Sequence, residues 1–145
     1  MKGAASPGVV LGEWPEMAEQ ASAIRFKVFV DEQGVPADME LDEFDAASCH
    51  ALAVIGAQAV GTGRLLPDGH IGRMAVLEPW RGTGVGAALL GALVAEARRR
   101  GMRVVALNAQ THAQGFYSRF GFVPTGPQFE EAGLPHQAME MNLAE

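Results

Sequence analysis

Apolar residues early in the chain recur at Met17, Ala21, Ile24 and Val28, in steps of four, three and four. That spacing predicts one face of an amphipathic helix beginning near Pro15. Phe29 widens the face, and "GVP" at 34–36 ends the helix. A first strand is expected ahead of it, from Val9. Residues 37–45, "ADMELDEFD", show no period and read as an acidic loop. The pattern then changes to short apolar runs at 49–55, 59–66 and 70–76, separated by "GAQ" and "PDG". Runs of that length divided by such turn residues predict an antiparallel meander. A helix follows to about Arg100, and its first three turns are apolar nearly all round, which predicts cover on two sides. "RVVALNA" reads as a strand, 112–120 as a short helix closed by Gly121, and "FVP" and "HQAMEMNL" as the last strands. Antiparallel strands interleaved with helices in this order predict an α+β fold.

Composition narrows the partners. The 145 residues are read as one domain, 1–145, with 17 acidic and 11 basic side chains and a net charge of −6. The run "RRR" at 98–100 suits the C-terminal dipole of the helix that Gly101 ends, so no nucleic-acid partner is expected. One cysteine, Cys49, excludes an internal disulfide framework and an all-cysteine zinc site, and its strand-like setting gives it a structural part. Without an export signal the expected compartment is the cytoplasm. The apolar run Val85–Ala95 is shorter than the about 20 residues a bilayer span needs, so no membrane partner is expected. It hints instead at a partner surface and a homodimer.

The chemistry begins at "RGTGVG", 81–86, between a strand and a helix. Glycines let a backbone close around phosphate oxygens, and N–H groups of a helix's first turn point at them. A nucleotide-hydrolase loop needs a lysine and a hydroxyl after its last glycine, but Gly86 is followed by Ala87 and Ala88. Gly82, Gly84 and Ala87 satisfy a relaxed dinucleotide fingerprint. The acid expected about 20 residues later is missing, because the next strand ends "ALNAQ". A pyrophosphate on an uncharged arm fits what remains, and coenzyme A has that shape.

Here the chain resembles the GCN5-related N-acetyltransferases, whose coenzyme A signature, Arg or Gln-x-x-Gly-x-Gly or Ala, is matched by Arg81, Gly84 and Gly86. "FYSRFGF" at 116–122 resembles that superfamily's late helix and turn, with Tyr117 at its tyrosine position. "FKVFVDEQGVPADMELDEFD", "LNAQ" and "EAGLPHQAM" are closer still to its ElaA/YjcF-like branch, and the likeness covers roughly residues 14–143. The resemblance implies a mostly antiparallel sheet, flanked by helices, that splays between its fourth and fifth strands. It implies acetyl-CoA as cosubstrate, no metal, and a primary amine of a small molecule or peptide as acceptor, attacking the thioester directly. Met74, Ala75 and Val76 would contact the pantetheine arm through backbone, Arg81, Gly82, Thr83, Gly84, Val85 and Gly86 would hold the pyrophosphate, and the Asn108 amide would bind the arm.

That reaction sets three tasks. The carbonyl oxygen needs a donor, for which the N–H of Val76 or its neighbour is placed. The leaving thiolate needs a proton, and Tyr117 is the candidate both for this and for contact with the cosubstrate. A phenol near its ordinary pKa of about 10 is nearly matched to an alkyl thiol. The amine must lose a proton, and Glu32, at the end of the first helix, is the candidate base or anchor. His136 on the late loop is a second acceptor-side candidate, Glu130 and Glu131 are rivals, and His50 and His112 are weaker ones. His70, in a hairpin turn, and Asn108, at a strand end, also have plain structural readings. The acid-rich stretch 38–45 is either solvated or a lure for a cationic acceptor. A non-catalytic module that senses acyl-CoA is the alternative function.

Overall fold

The computed structural model describes residues 8–40 and 42–143. Strand β1 (Gly8–Glu13) leads into helix α1 (Trp14–Arg25), which continues as a π-helix over Phe26–Glu32. A short helix α2 (Ala37–Glu40) and a 3-10 stretch (Glu43–Ala47) come before the meander β2 (Cys49–Ile55), β3 (Gln58–Leu65) and β4 (Ile71–Val76). Helix α3 (Val85–Arg99), strand β5 (Val104–Gln110), helix α4 (Gln114–Phe120) and strands β6 (Val123–Pro124), β7 (Phe129–Glu131) and β8 (Leu134–Asn142) complete it.

The strands form two sheets, β1-β2-β3-β4 and β5-β8-β6, with β7 also paired to β8. All the ladders are antiparallel. The sheets touch at one end, where a parallel bridge joins His70 to Ala106 and the Ala106 N–H donates to the Gly69 carbonyl at 3.1 Å. Gly69 has φ +98°, and a Cβ there would stand 2.7 Å from the Val104 carbonyl oxygen. Only glycine admits that approach. Past the bridge β4 and β5 run on without a ladder between them, and the sheet splays.

Both faces of the first sheet are covered. Met17, Ala21, Ile24 and Val28 pack on Leu52 and Ala75, as the spacing predicts. On the other face Leu89, Leu90, Leu93 and Val94 of α3 join Ala51, Ala53, Leu65 and Ile71. A Cβ at Gly61 would meet Leu89 and Val85 at 2.9 Å, so bare backbone lets α3 seat closely. Phe116 and Phe120 of α4 reach Gly86 and Gly91 on α3's second side. The apolar run of α3 is therefore spent inside the chain, and its sequence is no argument for a partner surface.

Three expectations need correction. The first helix is not α-helical to its end: the Gln33 N–H donates to the Val28 carbonyl five residues back, at 3.2 Å. Apolar spacing samples one face only and does not distinguish an i→i+5 turn over so short a stretch. The late loop carries a strand, β7, in a tight hairpin with β8 through Ala132 (φ +53°) and Gly133 (φ +78°). The acidic segment is not simply a solvated loop: Glu40 and Asp45 are buried and, with Asp42, paired to arginines, while Asp38 and Glu43 stay exposed. Arg25 Nε meets Glu40 Oε2 at 2.7 Å, and its Nη1 meets Asp45 Oδ1 at 2.8 Å. Arg64 Nη1 bonds Asp42 at 2.7 Å and Asp45 at 2.8 Å, and Arg73 Nη2 reaches Asp42 at 3.3 Å. Burial alone would raise the Asp45 carboxyl, but the guanidiniums of Arg25 and Arg64 outweigh it and hold it below the ordinary range.

Candidate active site

The glycine-rich turn is built as a helix entry. Gly82 (φ +76°) and Gly84 (φ +94°) are left-handed, and Gly84 caps α3 without any side-chain hydrogen bond. The Ala88 N–H is bonded to the Gly84 carbonyl at 3.0 Å, so the N–H groups of Val85, Gly86 and Ala87 lie ahead of the first helical bond. No atom lies within 4 Å of where a Cβ would stand at Gly82 or Gly84. Thr83 Oγ1 donates to the Trp80 carbonyl at 2.5 Å and fixes the turn. These open donors at the positive end of a helix dipole fit an anionic group.

The walls of the splay carry main-chain groups as well. Just past β4 the Leu77 N–H donates to the Val60 carbonyl at 2.9 Å, so strand alternation turns the Val76 N–H and carbonyl away from β3, toward the open side. Opposite Gly63, β4 holds two residues, Arg73 (φ +48°) and Met74, where β3 holds one. This bulge sets the direction in which Met74, Ala75 and Val76 arrive. On β5 the Ala106 N–H faces β4, and by the same alternation the backbone of Asn108 faces the splay. Its side chain is engaged elsewhere, donating to Glu131 Oε1 at 3.4 Å. The Val76 N–H on one wall and the Asn108 backbone on the other fit an extended polar arm between them.

The candidate side chains divide between two faces. Val105, Leu107 and Ala109 face the core shared with α3, and Tyr117 packs on that core. The Tyr117 ring lies edge-on to Phe116 at 5.0 Å and to Phe122 at 6.1 Å. Desolvation pushes its phenol up to about 12, away from the match with a thiol expected from the sequence. Asn108, Gln110 and His136 lie on the opposite face, with Gln110 and His136 directly across the β5–β8 ladder from each other. His136 is buried, stacks on Phe129 at 5.9 Å, and donates from Nδ1 to the Leu134 carbonyl at 2.8 Å. In the neutral ring that bond leaves the lone pair on Nε2.

Glu32 and Arg81, expected to serve different substrates, meet each other: Arg81 Nη2 donates to Glu32 Oε1 at 2.7 Å while its Nε donates to the Val76 carbonyl at 2.8 Å. His50 is a structural group. It is buried against Trp14 at 4.7 Å, donates from Nε2 to the Asp45 carbonyl at 2.9 Å, and is pushed below its ordinary pKa mainly by desolvation. His70 holds its turn, bonded to Asp68. His112 donates to Gln110, and Gln110 pairs with Gln33. Sequence reasoning passed over both glutamines, although "DEQGVP" and "LNAQ" contain them.

The family model of the acetyltransferase (GNAT) domain matches residues 15–143. The chain belongs to the GNAT family. Within it the chain falls in the ElaA/YjcF-like branch. It is 38% identical over 134 residues to the uncharacterized N-acetyltransferase YjcF of Bacillus subtilis, covering 90% of this chain and 96% of that one. It is 34% identical over 124 residues to protein ElaA of Escherichia coli, covering 80% and 81%. The crystal structure of E. coli ElaA superposes with a TM-score of 0.83 at 29% identity, over 94% of this chain and 99% of that chain. An acyl-CoA N-acyltransferase from Pseudomonas aeruginosa gives the same TM-score, identity and coverage. The α+β fold is thus the GNAT fold, and GNAT proteins are acyltransferases that use a coenzyme A thioester and an amine acceptor. No helix among the described residues is long and apolar enough to cross a membrane.

Proposed function

We propose that this GNAT protein transfers an acetyl group from acetyl-CoA to a primary amine of a small molecule or peptide, in a ternary complex. The observation that carries this reading is the junction of the open, glycine-capped α3 N-terminus with a splay whose walls turn the Val76 N–H and the Asn108 backbone inward. The N–H groups of Val85, Gly86 and Ala87, with the Arg81 guanidinium, are assigned to the pyrophosphate, and the backbone of Met74, Val76 and Asn108 to the arm. Acetyl-CoA supplies an activated acyl carbon, so the chain's residues have only to place the amine, stabilise charge and move two protons.

In this reading the Val76 N–H donates where negative charge develops on the carbonyl oxygen. Tyr117, protonated at neutral pH, approaches from the α3–α4 side and gives its proton to the departing sulfur. With the phenol near 12, donation to an alkyl thiolate near 8.5 is uphill, so the sulfur gains most from the hydroxyl while its charge is still forming. Amine deprotonation falls to the opposite face. His136 offers a bare Nε2, and Glu32 becomes available when the phosphate draws Arg81 away. The acidic pair partner and the net charge of −6 favour a cationic amine over an anionic acceptor.

A thermal-shift comparison of acetyl-CoA, NADH and ATP, followed by an amine panel read by thiol release, tests the proposal. Stabilisation by acetyl-CoA alone, with amine-dependent thiol release, supports it. Stabilisation by acetyl-CoA without turnover of any amine supports the acyl-CoA-sensing reading in its place.

A further inference from the structure

Two side chains join the end of the first helix, which packs beside β4, to the β5 wall near the open side of the splay, and the mechanism above leaves them without a part. Gln110 Nε2 donates to Gln33 Oε1 at 2.9 Å, and Gln33 Nε2 returns a longer bond to Gln110 Oε1 at 3.4 Å. His112 Nε2 donates to the same Gln110 oxygen at 2.8 Å and fixes the orientation of that amide. Gln33 ends the π-helix directly after Glu32, whose carboxylate holds Arg81. Gln110 ends β5 directly across the ladder from His136. The end of the first helix is therefore tied on one side to the phosphate turn and on the other to the wall that carries His136.

We propose that Gln33 and Gln110 are positioning residues for the amine acceptor: their amide pair clasps the end of the first helix to the β5 wall and sets where the amine meets Glu32 and His136. The inference rests on the acyltransfer reading and adds to it the part of the fold that places the acceptor. Among the described residues the two sheets are bridged by backbone at the His70–Ala106 end, so the diverging ends need a separate link to hold a fixed spacing. Spacing matters there, because a misplacement of about 1 Å can cost 10²-fold in rate. A neutral amide pair supplies the link without charge. A salt bridge in the same place would compete with the ammonium for Glu32 or repel it.

Three variants test the clasp: Gln33→Met, Gln110→Met and the double substitution, in which methionine keeps the length of the side chain and removes the amide. Both sites are part-buried, so water can take up the freed partners and folding is retained. Backbone hydrogen exchange over residues 30–36 should rise by about tenfold in either single variant and no further in the double. Coenzyme A affinity should stay within about threefold, since the phosphate turn is untouched. Acetyl transfer from acetyl-CoA to the best amine of a primary-amine panel should fall about 10–100-fold through kcat or the amine KM, with equal losses in the single and double variants. Unchanged exchange at 30–36, additive losses, or coenzyme A affinity falling in step with amine kinetics would each overturn the clasp. A parent protein that binds coenzyme A yet acetylates no amine would overturn the function proposed above, and the acceptor role with it. Inert variants in an active parent would overturn the clasp alone.

Discussion

Glu32 Oε1 lies 2.7 Å from Arg81 Nη2, so the acid read as serving the amine and the base read as serving the phosphate are each other's partner. Their side chains are 31% and 44% exposed, and such a pair stabilises the fold by no more than about 1 kcal/mol. Its larger consequence is competition. A phosphate drawn to Arg81 and an ammonium drawn to Glu32 both work against the pair, so binding at either site makes binding at the other easier.

Glu32→Gln keeps the shape of the side chain and removes the competing charge. Coenzyme A affinity should hold or rise by up to about fivefold, the equivalent of the exposed pair. Acetyl transfer should fall by about 100-fold if Glu32 takes the amine proton. Calorimetry and initial rates across the pH range read the two effects separately. Parental rates throughout would move the proton-accepting role to His136.

Gly84→Val probes the turn. The site is open to a Cβ, so the fold survives, but φ +94° strains any L side chain by about 1–2 kcal/mol. The valine would also stand beside the first-turn N–H groups. Coenzyme A affinity should drop by more than about tenfold, the loss of one charge-assisted hydrogen bond. A folded variant with parental affinity would show that the phosphate binds elsewhere.

Tyr117→Phe deletes only the hydroxyl and keeps the ring's contacts with Phe116 and Phe122. Coenzyme A binding and melting temperature should be preserved while turnover falls by roughly 10²–10⁴-fold. With the phenol at about 12, the parent's rate should show no loss of the acid form below about pH 11. An aryl thioester, whose thiol leaves with less help, should recover much of the variant's deficit. Parental turnover by the phenylalanine variant would make the hydroxyl structural.

Much of this arrangement could be read from the chain, for reasons that differ by element. The α1 face, the meander and the α3 run repeat an apolar period over many residues, and period reports burial directly. "RGTGVG" is legible because its chemistry is local: three glycines and a helix start lie within six residues. The Gln33–Gln110 pair has neither property, since its members are 77 positions apart and polar residues carry no period. The pairing of Glu40, Asp42 and Asp45 is hidden for the same reason. Their charge is visible in sequence, but the arginines that neutralise it come from α1, β3 and β4. The position of Glu32 at the end of the first helix is legible in the sequence, yet its partner depends on how a turn 49 residues away folds back.

Stability should fall in stages on acidification. His50 is held below its ordinary 6.5 by burial, so the unfolded chain takes up that proton first and stability declines from about pH 6.5 downward. Glu96 is lowered from 4.5 to about 2 by its hydrogen bonds to Arg99 and then Arg100, and Asp42 and Asp45 are lowered from 3.8. Depressed carboxyls stabilise fully above their unfolded pKa and lose that contribution as pH falls through the folded one. Urea midpoints should therefore decline further between about pH 4.5 and 2, and Glu96→Gln should flatten that limb. A midpoint independent of pH from 7 to 3 would contradict both assignments.

The central claim is that one splayed sheet brings a coenzyme A thioester and an amine together. Thiol release from acetyl-CoA, followed with and without a panel of primary amines in parent, Gly84→Val and Tyr117→Phe proteins, tests it most directly. The account predicts release that depends on particular cationic amines, yields the N-acetyl amine in equal amount, and is lost in both variants. It predicts that only Gly84→Val also loses coenzyme A binding. Release that ignores the amine, or that survives both substitutions, would contradict it.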